Sequence, residues 1–97
     1  MNVAELDEVQ YDLEVDGELV RKQLARRVWE RAGWATLAIA FVEKDKAEGW
    51  KAPKVALLRF RRIHGVWQRQ AAMTLAGAEA LELAGTIASW RELVSAS

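Results

Sequence analysis

The chain has 97 residues, of which 52% are apolar and 29% are charged, so it is long and apolar enough to form one folded domain with its own core. It contains no cysteine and one histidine, which excludes disulfides, thiolate metal sites, a cysteine nucleophile and histidine-rich metal clusters. The most apolar stretch, residues 34–42, has nine residues, about half of what a membrane-spanning helix needs, and the acidic N-terminus is unlike a signal peptide. We therefore expect a single domain over residues 1–97 with a cytoplasmic location, the nucleoid included.

Charge is distributed unevenly along the chain, although the formal net charge is zero. Residues 1–18 carry seven acids and no base, residues 19–69 carry 13 of the 14 bases against four acids, and residues 70–97 carry one base and three acids. A basic middle segment favours a polyanion-binding surface. The alternative is that the acidic and basic segments pair with each other inside the fold.

Residues 8–16 alternate apolar with acidic or polar side chains, which is typical of a half-buried strand. Residues 1–7 before it are expected to form a flexible acidic N-terminus. Asp16-Gly17 then predicts a two-residue hairpin turn. A hairpin about this turn opposes apolar with apolar and acid with base: Val20 with Leu13, Leu24 with Val9, and Arg21 with Asp12.

Residues 19–31 fit either a strand or a short basic helix. Val20, Leu24 and Val28 recur every four residues, as on a helix, but they also fall on one face of a strand. The preceding turn and the β-rich neighbours favour the strand. The other face of that strand carries Arg21, Gln23, Arg27, Trp29 and Arg31.

Three further strands are predicted. Ala32-Gly33 turns the chain into a strand over residues 34–43, with Leu37, Ile39 and Phe41 facing inward and Thr36, Ala38 and Ala40 facing outward. Residues 43–54 are predicted to be a long polar loop, and residues 55–63 and 66–74 to be strands joined by a turn at His64-Gly65. Apolar side chains lie on both faces of residues 55–63, so both faces need cover and we expect a homodimer.

From Ala76 onward, apolar residues recur at intervals of three or four, which predicts a helix with Thr74 or a neighbour as its N-cap. The apolar stripe of that helix consists of Ala80, Leu83, Ile87, Trp90 and Val94. The predicted fold is α+β: a twisted antiparallel sheet of about five strands with one C-terminal helix packed on one face. We expect Trp67 and Trp90 in the core, and Trp29 and Trp50 at the surface.

No pattern in the sequence indicates catalysis. His64 stands in a predicted turn, no serine has a histidine placed near it, and the six glycines are scattered singly rather than in a phosphate-binding motif. The acids of residues 5–18 are spread along a predicted strand instead of converging on a cation. We expect no enzyme activity, no cofactor, no bound metal and no small-molecule substrate.

Cations and aromatic side chains occur together in the basic middle segment. This combination is typical of proteins that bind single-stranded nucleic acid, because cations follow the phosphates and flat rings stack on exposed bases. The alternative is that the arginines form a solvated face paired with the acidic first strand. The candidate contact residues are Arg21, Lys22, Gln23, Arg27, Trp29, Arg31, Trp50, Lys51, Lys54, Arg59 and Arg61.

Two short stretches resemble the transcriptional positive-coactivator-four family of single-stranded-DNA-binding proteins. Arg21-Lys22-Gln23-Leu24, followed by Arg26 and Trp29, is similar to the basic strand of the small bacterial members, and Thr74-Leu75 before a helix containing Glu79 is similar to the family's ending. The resemblance covers about residues 18–42 and 71–94. It implies a curved antiparallel sheet plus a helix, a dimer, a role in transcription regulation, and DNA contacts at Arg21, Lys22, Gln23 and Trp29.

The chain also departs from that family. Ala71-Ala72 stands where a glycine-lysine-glycine step is usual, and the extra hairpin strand resembles the related plant Whirly proteins. We therefore predict a homodimeric protein that binds single-stranded nucleic acid, DNA in preference to RNA, with little sequence specificity. The competing hypothesis is a protein-interaction or scaffold domain whose open sheet face binds another protein, and a third is an accessory subunit of an enzyme.

Overall fold

The computed structural model describes residues 2–95 as a curled antiparallel β-sheet followed by a C-terminal helix. The strands are β1 Asn2–Val3, β2 Leu13–Val15, β3 Glu18–Arg31, β4 Trp34–Asp45, β5 Gly49–Trp50, β6 Lys54–Ile63 and β7 Val66–Ala76. A 3-10 turn covers Leu6–Glu8, and the helical segments are α1 Gly77–Ser89 and α2 Arg91–Val94. The strand order is β1-β7-β6-β4-β3-β2, with β5 paired to the end of β4. The predicted antiparallel sheet with a C-terminal helix is confirmed, with seven strands instead of about five.

Tight turns set the register of the long strands. Asp16-Gly17, Ala32-Gly33 and His64-Gly65 each place both residues at positive φ, as a type I′ hairpin turn requires. All three predicted turns are confirmed. Residues 18–31 form one continuous strand, so the helical alternative for this segment is wrong.

The long strands divide their side chains between two faces. One face carries the sheet part of the core, with each side chain at most 3% exposed: Ala35, Leu37, Ile39, Phe41, Ala56, Leu58, Phe60 and Trp67. On the opposite face, none of the strand residues that the structure describes is fully buried. We call the first the strap face and the second the open face. The predicted inward positions on β4 and the buried position of Trp67 are confirmed.

Residues 2–12, which we call the N-terminal strap, cross the strap face and cover the core. β1 pairs with Trp67 and Gln68 at one edge of the sheet, and β2 pairs with β3 at the other. Between them Leu6 and Val9 insert into the core, where they are 8% and 1% exposed. The prediction of a flexible tail is therefore wrong for residues 2–7, and residue 1 lies outside the described part of the chain.

The predicted first strand is much shorter than expected. Residues 6–8 form the 3-10 turn and only residues 13–15 are strand, because Val9 turns inward to the core before the chain reaches the edge of the sheet. Beside the turn, Val15 opposes Glu18 and Glu14 opposes Leu19, as the predicted register requires. A bulge then inserts one residue, so that Leu13 opposes Arg21 instead of Val20, and the predicted register is wrong by one position from Leu13 onward.

The predicted loop over residues 43–54 is mostly ordered hairpin. β4 continues to Asp45 and pairs with β5 through Lys44–Trp50 and Asp45–Gly49. The Asp45 side chain accepts hydrogen bonds from the backbone N–H groups of Ala47 (3.0 Å) and Glu48 (2.6 Å). This side-chain-stabilised turn reverses the chain early and leaves only residues 51–53 without regular structure.

The C-terminal helix does not pack on a face of the sheet, contrary to the prediction. α1 begins directly after β7, and neither α1 nor α2 has a buried residue. Trp90, expected in the core, is 48% exposed, and Thr74 lies in β7 instead of capping the helix. The N-terminal strap already occupies the face on which a helix could have covered the core.

Candidate nucleic-acid interface

A cluster of arginine and tryptophan side chains occupies one end of the open face, beside the β3–β4 turn. Cross-strand partners in an antiparallel sheet point to the same face. One row across β3, β4 and β6 is Trp29, Thr36 and Arg59, and the next row is Arg31, Trp34 and Arg61. We call the following residues the basic-aromatic cluster: Arg27, Trp29, Arg31, Trp34, Arg59 and Arg61.

The guanidinium groups of the cluster lie close to its rings. The Arg27 Cζ is 5.3 Å from the centre of the Trp29 ring, and the Arg59 and Arg61 Cζ atoms are 4.8 Å and 5.2 Å from that of Trp34. These are cation–π distances, which hold the cations near the rings without neutralising their charge. Arg59 is fixed further, since its Nη1 donates a 2.7 Å hydrogen bond to Thr36 Oγ1.

The cluster borders an open groove of about 630 Å³. Trp29 and Trp34 both line it, together with Glu30, Arg31, Thr36 and Arg59. Trp29 is 51% exposed, so a large part of its ring is available to a ligand. Trp29 and Trp34 are diagonal neighbours on adjacent strands, for which a separation of about 7–8 Å is typical.

No arginine of the cluster forms an ion pair with a carboxylate among residues 2–95. The ion pairs in this part of the chain join Lys44 to Glu18, Lys51 to Asp45 and Lys54 to Glu43, and none involves an arginine. Of the acids in residues 5–18, only Glu18 forms an ion pair. The alternative that the acidic segment pairs with the arginines therefore does not hold for the cluster.

Arg21 and Gln23 lie on the strap face, not beside Trp29. A bulge in β3 between Gln23 and Ala25 inserts one residue, so the side chains before it switch faces relative to those after it. The Arg21 Nε donates to the Tyr11 carbonyl at 2.8 Å, and the guanidinium lies 4.3 Å from the Tyr11 ring centre. The Gln23 backbone N–H donates to Asp12 Oδ1 at 2.7 Å. Both residues thus help to hold the N-terminal strap.

The remaining candidates lie at the far end of the sheet. Lys22 is exposed on the open face opposite Val42, and Trp50 opposes Lys44. Thr36 and Lys44 are eight residues apart on β4, which corresponds to about 26 Å along a strand. The structure therefore does not bring Trp50, Lys51 and Lys54 together with the cluster.

Lys51 and Lys54 are engaged in ion pairs at this far end. Lys51 Nζ lies 3.1 Å from Asp45 Oδ2, and Lys54 Nζ lies 3.1 Å from Glu43 Oε1. The hydrogen bond from Glu48 N–H and that from Lys51 keep the pKa of Asp45 below its ordinary value, and Asp45 in turn raises the pKa of Lys51. Both lysines are therefore held in ion pairs beside the β4–β5 hairpin.

Trp34 is the cluster residue that the sequence analysis missed. The signal was present: a two-residue turn at Ala32-Gly33 places Arg31 directly opposite Trp34. Strict alternation along β4 then assigns Trp34 to the same face as Thr36, Ala38 and Ala40, which is the face that carries Trp29.

Comparisons with known proteins give no further guidance. No family model matches the chain, and neither a curated protein nor a solved structure matches it. No helix among residues 2–95 is long and apolar enough to cross a membrane. The geometry of the open face is therefore the basis for assigning a function.

Proposed function

We propose that the protein binds single-stranded nucleic acid on its open face, DNA in preference to RNA, with the basic-aromatic cluster as the contact surface. The proposal depends on one observation. Four guanidinium groups surround two tryptophans that line one open groove, and none of the four forms an ion pair with a carboxylate in the described chain. Guanidinium groups bind phosphates, and exposed indole rings stack on bases.

The exposed rings favour single strands over a duplex. In a duplex the flat faces of the bases are covered by their neighbours, whereas a single strand can turn its bases onto a protein surface. Trp29 and Trp34 are diagonal neighbours on adjacent strands, so their backbone positions are typically about 7–8 Å apart. Two rings this close on one face can stack on bases of the same strand segment.

The same surface supports little sequence preference. Bases are distinguished by hydrogen bonds to their edges, usually from asparagine, glutamine, acidic side chains or unengaged arginine. The groove is lined mainly by rings, arginines and aliphatic groups, and Glu30 and Thr36 are its other polar side chains. Few groups are therefore placed to read base edges, so stacking and charge dominate the proposed contact.

The resemblance to the positive-coactivator-four family supports the same ligand class, but only part of its implied contact set. Of the residues carried over from it, Lys22 and Trp29 lie on the open face, whereas Arg21 and Gln23 bind the N-terminal strap. We therefore assign the contact surface to the cluster and leave Arg21 and Gln23 out of it. A non-enzymatic role in transcription regulation fits this proposal.

The competing function, a protein-interaction domain, is favoured by a different observation. The C-terminal segment exposes Leu81, Leu83, Ile87, Trp90, Leu93 and Val94. Association through apolar surface depends weakly on salt, whereas phosphate binding weakens steeply as salt rises. For four phosphate contacts the slope of log K against log salt is about −3 for a single strand.

The test is a fluorescence-anisotropy titration with labelled oligothymidine of about 16 nucleotides, the upper end of the site size of one single-strand-binding fold. It is repeated at several salt concentrations with an oligouridine and a DNA duplex as competitors. The proposal predicts binding with a slope near −3, weaker competition by the duplex, and weaker competition by the oligouridine. No binding at low salt would refute it and favour the protein-interaction function.

Matched variants locate the surface. Arg59→Ala and Arg62→Ala each remove one arginine from β6, but Arg59 is on the open face and Arg62 is on the strap face, stacked on Trp67 at 5.8 Å. We expect Arg59→Ala to weaken binding and to flatten the salt slope by about 0.7. Arg62→Ala should leave both unchanged, and equal effects of the two variants would mean that charge alone, not the open face, determines binding.

A further inference from the structure

The outer edge of β7 is without a partner strand over most of its length. β1 pairs only with Trp67 and Gln68, and β6 occupies the inner edge. Residues 69–76 therefore have no neighbouring strand on their outer side among residues 2–95. Their backbone groups on that side are in a position to pair with another strand.

Apart from a bulge at Gln70, this edge lacks the features that normally prevent strand pairing. Residues 69–76 read Arg-Gln-Ala-Ala-Met-Thr-Leu-Ala, with a single charge at one end and no proline or glycine. Ala71 and Ala72 are exposed, and Met73 is 54% exposed. The other free edge, residues 25–31 of β3, contrasts with it, because it carries three arginines and a glutamate. Charged edges resist pairing, whereas a neutral edge is a template for it.

The helix that follows this edge also lacks a partner surface. α1 has 13 residues and begins directly after β7, and no residue of α1 or α2 is buried. Helices of this length are marginal in water unless an apolar face is packed. The stripe that contains Leu83, Ile87, Trp90 and Val94 remains 40–59% exposed.

We propose that residues 70–76 pair antiparallel with the same residues of a second copy, and that the C-terminal helices of the two copies complete this dimer interface. Antiparallel pairing of one strand with itself is isologous, and directly opposite residues share a face, so a single two-fold axis at Met73, which opposes its own copy, satisfies both edges at once. Each α1 then begins beside residue 69 of the partner strand. A specific interface buries about 800 Å² of surface on each partner. The exposed apolar side chains of α1 and α2 supply the buried surface that the strand edge alone does not.

The dimensions of the chain support a second copy as the occupant. The radius of gyration is 15.6 Å, against about 12.5 Å for a compact monomer of this length, and the shortest dimension is 17 Å. A continuous sheet would also keep the open faces of both copies on one side, because a two-fold axis that relates neighbouring antiparallel strands is normal to the sheet. Both basic-aromatic clusters would then face the same way.

The experiment measures mass by sedimentation velocity without nucleic acid, so it is independent of the proposed function. At about 100 μM, well above a micromolar Kd, the full chain should be a dimer. Met73→Lys places a charge on the β7 edge, and Ala25→Lys is the matched control, since it places one at an exposed position on the β3 edge. Met73→Lys should raise the dimer Kd at least about tenfold, and Ala25→Lys should not change it.

Amide hydrogen exchange supplies a second readout that does not depend on any variant. Residues 70–76 should exchange more slowly in the dimer than in the diluted monomer, because their outer N–H groups are paired only in the dimer. A monomer at about 100 μM would overturn the proposal, and so would a dimer without added protection at residues 70–76. A dimer with that protection but insensitive to Ile87→Glu would remove the helices from the interface.

Discussion

Replacing Trp29 by alanine tests whether the cluster binds bases as well as phosphates. The indole of Trp29 is 51% exposed on the open face, and it lies opposite Thr36, outside the core. Its removal should therefore weaken nucleic-acid binding without unfolding the protein. Stacking on one base contributes about 1–3 kcal/mol by alanine substitution, which corresponds to a loss of affinity of about 5- to 150-fold.

The salt dependence separates this loss from a loss of charge. Stacking releases no counterions, so Trp29→Ala should lower the affinity by a similar factor at every salt concentration. Arg27 lies 5.3 Å from the same ring, and Arg27→Ala should instead flatten the slope by about 0.7 for one phosphate contact. Both variants are measured by anisotropy with the same oligothymidine, with the melting temperature as the control for folding.

A double variant tests whether Trp29 and Trp34 hold the same base. If one base stacks between the two rings, removing one ring also weakens the contact of that base with the remaining ring. The losses of affinity measured for the two single variants should then not add. The coupling energy between neighbouring groups of this kind is about 0.5–3 kcal/mol. Full additivity would mean that the two tryptophans contact separate bases.

Two outcomes would refute the reasoning about this surface. If Trp29→Ala lowers the melting temperature sharply, the ring belongs to the packing of the fold and its effect on binding carries no information about stacking. If the variant is folded and binds oligothymidine as tightly as the parent, the open groove is not the base-binding surface. Trp50→Ala is the matched control, because Trp50 is 46% exposed at the far end of the sheet.

Three further predictions concern the strap and the β4–β5 hairpin. Deleting residues 2–7 removes the buried Leu6 together with β1. The free energy of unfolding in a denaturant titration should fall by about 2–5 kcal/mol, the range for removing one large buried side chain, and an unchanged midpoint would mean that the strap does not close the core. Arg26 donates hydrogen bonds to the carbonyls of Val9 at 2.9 Å and Leu6 at 3.3 Å on the strap face. Arg26→Ala should therefore lower the free energy of unfolding by about 1.5–3 kcal/mol and leave the salt slope of binding unchanged, and a flatter slope would place Arg26 among the DNA contacts. The hydrogen bonds from Glu48 N–H and Lys51 lower the pKa of Asp45, so their stabilisation of the hairpin is present above the ordinary pKa of 3.8 and is lost as the pH falls through the lowered pKa. The NMR signal of the Asp45 carboxyl carbon should titrate with a midpoint below 3.8, and a midpoint at or above 3.8 would contradict the assignment.

The long strands could be predicted from the sequence because alternation and turn chemistry agree there. Asp16-Gly17, Ala32-Gly33 and His64-Gly65 each place a glycine second in a two-residue turn, and the segments between them alternate with period two. A correct turn fixes the register of the hairpin, and the register fixes which side chains share a face. Alternation accordingly predicts that Trp29 and Arg31 share one face of β3, and the pairing of β3 with β4 confirms it.

The N-terminal strap could not be predicted from the same pattern. Residues 8–16 alternate as a strand does, but alternation describes only which side chains face an apolar surface, not whether the backbone pairs with a neighbour. Val9 and Tyr11 face the core of the sheet while their backbone crosses it, and only residues 13–15 reach a pairing edge. The position of the C-terminal helix follows from this, because the strap fills the place predicted for the helix.

The bulge beside Leu24 separates two roles within one basic strand. Before it, Arg21 faces the strap and binds a backbone carbonyl of residue 11, and after it the chain carries Arg27, Trp29 and Arg31 on the open face. Arg26 lies beyond the bulge and faces the strap by ordinary alternation, where it binds two further carbonyls. A continuous strand would have placed Arg21 on the same face as Trp29 and left the strap without one of its charged donors. The composition of β3 therefore overstates the number of cations available to a ligand, and the salt dependence of binding should reflect the four arginines of the cluster and not every base of the strand.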